Sequence, residues 1–181
     1  CLGVADVSVM EMTAANATFV NKGVYTKPVF ITRIENKNGT VIKNFIPEVS
    51  EAMSAQTAYT MLNLMQGVVD GAYSDHFDKK LGTGVRLRFK YGFKNEIAAK
   101  TGTTQNNSDG WFIGLTPELV TGVWVGAEDR AVRFARTYYG QGANTSLPIW
   151  ALYMKQVYAD SSLGITGEPF YKPEGIAVEL D

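Results

Sequence analysis

Between Ile97 and Gly126 the chain carries three stretches of strand character in close succession, and their spacing leaves little choice of topology. Ile97-Ala98-Ala99 leads into Lys100-Thr101-Gly102-Thr103-Thr104, and the polar loop Gln105–Gly110 ends the run, so a strand is expected over 97–104. Trp111–Leu115 and Leu119–Gly126 follow as apolar strands, separated by Thr116-Pro117-Glu118, where proline presets the turn. Connections this short join antiparallel neighbours, which gives three consecutive antiparallel strands.

Helical periodicity brackets this sheet. Ser8-Val9-Met10-Glu11 has the form of a capping box, and Val9, Met12, Asn16, Phe19 and Val20 recur at near-helical spacing until Gly23. Ala58, Met61, Leu62, Met65, Val68 and Val69 form a second apolar stripe, with Ser54 as its cap and Gly71 beyond its end. Ser146–Ala159 reads as a closing helix with Pro148 in its first turn and Ile149, Leu152, Tyr153 and Val157 on its apolar side. Val29–Ile34 and Thr40–Phe45 read as a peripheral hairpin around Asn36-Lys37-Asn38-Gly39. Residues 70–95 read as a long irregular connection and 160–181 as a C-terminal tail or linker, leaving 1–159 as the folded part. The fold class expected is α+β, a mainly antiparallel sheet flanked by helices.

Chemistry concentrates on the first of the three strands. Alternation puts Thr101 and Thr103 on one face, where two hydroxyls suit a carboxylate, and Gly102 removes the side chain that would keep a substrate backbone away. The Thr103 N–H is a natural oxyanion donor, and Lys100 supplies positive field. Strict alternation places Lys100 on the opposite face, so a joint role asks for twist or a bulge near Gly102. By themselves the five residues also suit a surface strand with a solvated lysine.

Context separates these readings. The motif runs on through Ser108-Asp109-Gly110-Trp111-Phe112-Ile113-Gly114 to Val123-Trp124-Val125-Gly126, with Leu147-Pro148-Ile149-Trp150 later and Ser54-Ala55-Gln56-Thr57-Ala58-Tyr59 earlier. Together these segments resemble the transpeptidase domain of class A penicillin-binding proteins, over nearly the whole chain to about Ala159. The resemblance implies part of a serine β-lactamase/transpeptidase-like fold. It also implies a penicillin-sensitive D,D-transpeptidase that cross-links peptidoglycan stem peptides through an acyl-serine, on the outer face of the cytoplasmic membrane. It assigns catalytic roles to Lys100 and Thr103 and substrate binding to Thr101, Gly102, Thr103 and Thr104. Partners would be the D-Ala-D-Ala stem peptide and β-lactams, with no cofactor and no metal.

Two further motifs of that family, S-x-x-K and S-x-N, do not occur in the 181 residues. The expectation is that they lie in an N-terminal part of the same protein, together with the membrane anchor. This chain alone would then be inactive and could self-associate through surface left bare. Two other readings share the residues: a D,D-carboxypeptidase or serine β-lactamase, which delivers water to the acyl-enzyme, and a module that holds peptide without chemistry.

Composition trims the remaining classes. With 17 basic and 18 acidic residues the formal charge is −1, which argues against nucleic acid as a partner. The cluster Lys79, Lys80, Arg86, Arg88, Lys90 and Lys94 reads as a solvated loop. His76, beside Asp75 and Asp78, has too few converging ligands for a metal site. Cys1 is the sole cysteine, so no internal disulfide can form, and no run of 18 apolar residues marks a membrane span.

Overall fold

The computed structural model describes residues 5–176. Helix α1 (Val9–Val20) begins at the expected capping box: the Ser8 hydroxyl accepts from the Glu11 N–H at 3.2 Å, and Glu11 Oε2 accepts from the Ser8 N–H at 2.8 Å. The chain then forms β1 (Val24–Thr26), β2 (Arg33–Glu35), β3 (Val41–Asn44) and β4 (Val49–Glu51). β2 and β3 are the expected hairpin, shorter on its first strand, because Val29 and Phe30 find no ladder partner. The sequence reading missed β1 and β4, which pair antiparallel across the base of that hairpin. The hairpin stands away from the core, with Ile42 66% exposed.

Helix α2 (Ala55–Asp70) is capped by Ser54, whose hydroxyl accepts from the Thr57 N–H at 3.2 Å. The connection that follows is more ordered than its composition suggests. It holds a small hairpin of β5 (Ala72–Ser74) and β6 (Lys79–Leu81) and a one-turn helix α3 (Arg86–Phe89). The cluster read as a solvated loop is corrected here at two positions. Arg86 donates to the Ala143 carbonyl at 2.9 Å and to Asn144, and Arg88 pairs with Asp70 at 2.7 Å while donating to the Phe93 and Asn95 carbonyls. A planar guanidinium can serve several loop carbonyls at once, which a solvated charge would not do.

The main sheet is β7 (Ala98–Thr103), β8 (Asp109–Leu115) and β9 (Val120–Gly126), in that spatial order and antiparallel throughout. Helix α4 (Thr137–Gly140) is a single turn, and α5 (Ser146–Ala159) closes the fold. Side-chain alternation on β8 divides the core into two. Ile113 and Leu115 join Leu62 and Met65 of α2 on one face, where α1 also packs. Phe112 joins Trp150, Leu147 and Met154 of α5 on the other, with Ile97, Ala99 and Leu87. Both faces of the sheet are therefore covered, as the pattern of its strands requires.

Residues 160–176, expected as a tail or linker, pack on the body of the fold; 177–181 lie outside the described residues. Phe170 is buried in the α1/α2 half of the core, and its N–H donates to Glu96 at 2.8 Å. Glu118 accepts from the Thr166 hydroxyl at 2.7 Å and from its N–H at 2.9 Å. The Thr166 hydroxyl, helped by the N–H groups of Thr166 and Gly167, holds the Glu118 carboxyl below the usual glutamate value. The stability this adds is fully present above the unfolded pKa, about 4.3, and is lost as pH falls through the lower folded value. Amide exchange at Thr166 and Gly167, corrected for its intrinsic pH dependence, should therefore lose protection only at the acid end. In Glu118→Gln that acid-side step should disappear, and its persistence would mean that another group ties the segment down.

Candidate active site

The K-T-G-T-T motif lies on β7, which among the described residues is the outer strand of the sheet. Its register with β8 is regular from Ala98↔Leu115 to Thr103↔Gly110, with no bulge at Gly102. Thr101 and Thr103 pair with Phe112 and Gly110 on the α5 face, while Lys100 pairs with Ile113 on the α1/α2 face. The alternative of a bulge bringing lysine and threonines together is thus corrected. The length of the lysine side chain does it instead: Nζ swings round the strand edge and donates to the Thr101 carbonyl at 2.6 Å.

The ladder shows which backbone groups face outward. The Thr104 N–H donates to the Asp109 carbonyl at 3.2 Å, so Thr104 and Asp109 form a hydrogen-bonded pair. Antiparallel pairs alternate between bonded and non-bonded, so Gly102 and Lys100 also turn their amides toward β8. Thr101 and Thr103 then present N–H and C=O to the open edge. That edge carries the Lys100 ammonium, the Thr103 hydroxyl, an outward-facing amide at Thr103 and, between them, a glycine.

The hydroxyls differ in their commitments. Thr103 Oγ1 accepts from the Gly142 N–H at 3.2 Å, which leaves its own proton free. Thr101 Oγ1 donates to Thr83 Oγ1 at 2.8 Å. Thr104 turns inward and ties the following loop: its Oγ1 accepts from the Asp109 N–H at 3.0 Å and lies 2.8 Å from Ser108 Oγ. Ser146, expected only as a helix start, donates to the Gly110 carbonyl at 2.7 Å and anchors α5 behind the site. Neither Thr83 nor Gly142 was legible as a neighbour of the motif, because both reach it from remote loops.

His76 sits in the turn between β5 and β6, edge-on to Phe77. Among the described residues no three His, Cys, Asp or Glu side chains converge, and no helix is long and apolar enough to cross a membrane. Two cavities, of about 420 and 570 Å³, lie elsewhere, the first beside Tyr59 and Phe170 and the second along β9. Both the chemistry and the exposed amides lie on β7, so its edge takes precedence; an edge that pairs with an extended peptide needs no enclosed cavity.

This α+β scaffold with a K-T-G strand at its edge shares the fold of penicillin-binding protein transpeptidase domains. Residues 2–145 match the penicillin binding protein transpeptidase domain, and the chain belongs to that family. It is similar to penicillin-binding protein 1A of Aquifex aeolicus, 34% identical over 156 residues, covering 86% of this chain and 19% of the relative. The chain thus spans about a fifth of the length of that curated relative. Among solved structures it is similar to penicillin-binding protein 1A of Haemophilus influenzae, with a TM-score of 0.78 at 24% identity, covering 97% of this chain and 29% of that one. A ceftriaxone acyl-enzyme complex of penicillin-binding protein A from M. tuberculosis shares the fold at a TM-score of 0.61 and 17% identity, over 82% and 32% of the two chains.

Proposed function

We propose that this chain supplies the K-T-G wall of a peptidoglycan D,D-transpeptidase acting through an acyl-serine, on the outer side of the cytoplasmic membrane. The observation that carries this reading is the open edge of β7, where Lys100 Nζ, the Thr103 hydroxyl and the outward Thr103 N–H meet beside Gly102. Family membership and the acyl-enzyme of the M. tuberculosis relative support the same chemistry. An extended D-Ala-D-Ala peptide would lie antiparallel or parallel to β7 and use its exposed amides, as strand addition does elsewhere.

The nucleophile comes from outside these residues, since no serine here stands three places before a lysine. In the full-length protein its Oγ attacks the penultimate D-Ala carbonyl and gives its proton to the neighbouring motif lysine. The Thr103 N–H stabilises the oxyanion, the bond to the terminal D-Ala breaks, and that residue leaves as the protonated amine. An amine of a second stem then attacks the ester, a peptide bond forms and the serine recovers its proton. Lys100 and the Thr103 hydroxyl hold the donor carboxylate until the terminal D-Ala leaves with it. No step requires a cofactor.

A hydroxyl-to-carboxylate bond is charge-assisted, so Thr103→Val in the full-length protein should slow acylation by a β-lactam about ten- to a hundredfold. Stopped-flow acylation measures this, and an unchanged rate would remove Thr103 from the mechanism. Intact mass places the nucleophile: an adduct is expected on the full-length protein and none on the 181 residues alone. Product analysis with and without an acceptor amine separates transfer from hydrolysis.

A further inference from the structure

Thr83 lies outside the motif, in the connection between α2 and β7, yet its hydroxyl is the partner of Thr101. Its placement is set by its neighbours. A side chain on Gly82 would meet the Val68 carbonyl oxygen at 2.7 Å, and one on Gly84 would meet the same oxygen at 3.1 Å. The Gly84 N–H donates to that oxygen at 2.8 Å, satisfying a carbonyl that the last turn of α2 leaves unpaired. The Gly82-Thr83-Gly84 loop is thus pressed flat against the end of α2, and Thr83 is the one residue of the three with a side chain to extend. That side chain crosses to β7.

We propose that Thr83 is a positioning residue for the acylation site, acting through Thr101. This rests on the reading of β7 as the substrate-binding edge. By hydrogen-bonding the Thr101 hydroxyl at 2.8 Å, Thr83 holds that side chain in one staggered rotamer at the substrate-binding edge. Thr103 is held from the other side, as an acceptor from the Gly142 N–H. The orientation of Thr101 thus depends on a loop anchored to α2.

A double-mutant cycle on the full-length protein tests this, read as the second-order rate of acylation by benzylpenicillin. Loss of one neutral hydrogen bond corresponds to about a three- to tenfold slowing for Thr83→Val in the native background. In a Thr101→Val background the same substitution should change nothing, because the group through which it acts is gone. Thr83→Ser, which keeps the hydroxyl, should hold the native rate. Equal slowing by Thr83→Val in both backgrounds would assign Thr83 a merely structural part and overturn the proposal, as would a Thr83→Ser rate no better than that of valine. An unaltered rate in Thr83→Val beside a slowed Thr103→Val would overturn this proposal alone. Native rates in Thr101→Val, Thr103→Val and Thr83→Val together would overturn the reading of the β7 edge with it.

Discussion

Replacing Lys100 by alanine in the full-length protein is expected to slow acylation by a β-lactam about a hundred- to a thousandfold, the loss usual for a preorganised group aimed at developing charge. The ammonium is exposed, yet its donation to the Thr101 carbonyl at 2.6 Å holds it at the strand edge where a substrate carboxylate would lie. Alanine keeps the strand and its ladder while deleting the only cation of the motif. Lys100→Arg keeps the charge but replaces a compact ammonium by a wider planar fork, so it should recover part of the rate. Rapid-mixing kinetics with a fluorescent penicillin read both variants. A Lys100→Ala protein that acylates at the native rate would show that the field in the cleft has another source.

The second large effect concerns the scaffold. Gly114 stands on β8, the middle strand, and a side chain there would enter the indole of Trp150 at Nε1, Cε2 and Cζ2. Trp150 is fully buried and packs on Phe112 at 5.3 Å and Phe93 at 5.9 Å between ring centroids, so it has no room to retreat. Gly114→Ala should therefore destabilise the domain by about 3 kcal/mol, at the upper end for overpacking. For a domain of this size that lowers Tm by roughly 6–12 °C. Calorimetry of the full-length protein follows the transition of this domain, and a shift below about 2 °C, under 1 kcal/mol, would show that the Trp150 layer can slide.

How much of this could be read from residues alone depends on how far apart the interacting groups lie in the chain. The Ser8–Glu11 capping box and the Ser54 cap involve partners three residues apart, and both helices begin where those signals stand. The β7-β8-β9 meander was legible for the same reason, its turns being short and its strands apolar. The β1–β4 pairing was not, because Val24 and Glu51 meet only after an intervening hairpin has folded. Residues 160–176 looked like a linker because their anchors, Glu96 and Glu118, lie far back in the sequence.

The site divides along the same line. Sequence determined which candidate groups the chain carries: a lysine, two threonines on one face and a glycine on one strand, within segments that resemble a transpeptidase domain, all through residue identity and alternation. Tertiary structure alone decided how those groups are arranged. The folded ladder turns the Thr101 and Thr103 amides to the open edge, Lys100 crosses to them by its reach and without a bulge, and Thr83 and Gly142 arrive from separate loops to set the direction of each hydroxyl. Local propensity acts over a few residues, whereas the orientation of a hydroxyl depends on whichever atom the completed fold brings within about 3 Å of it.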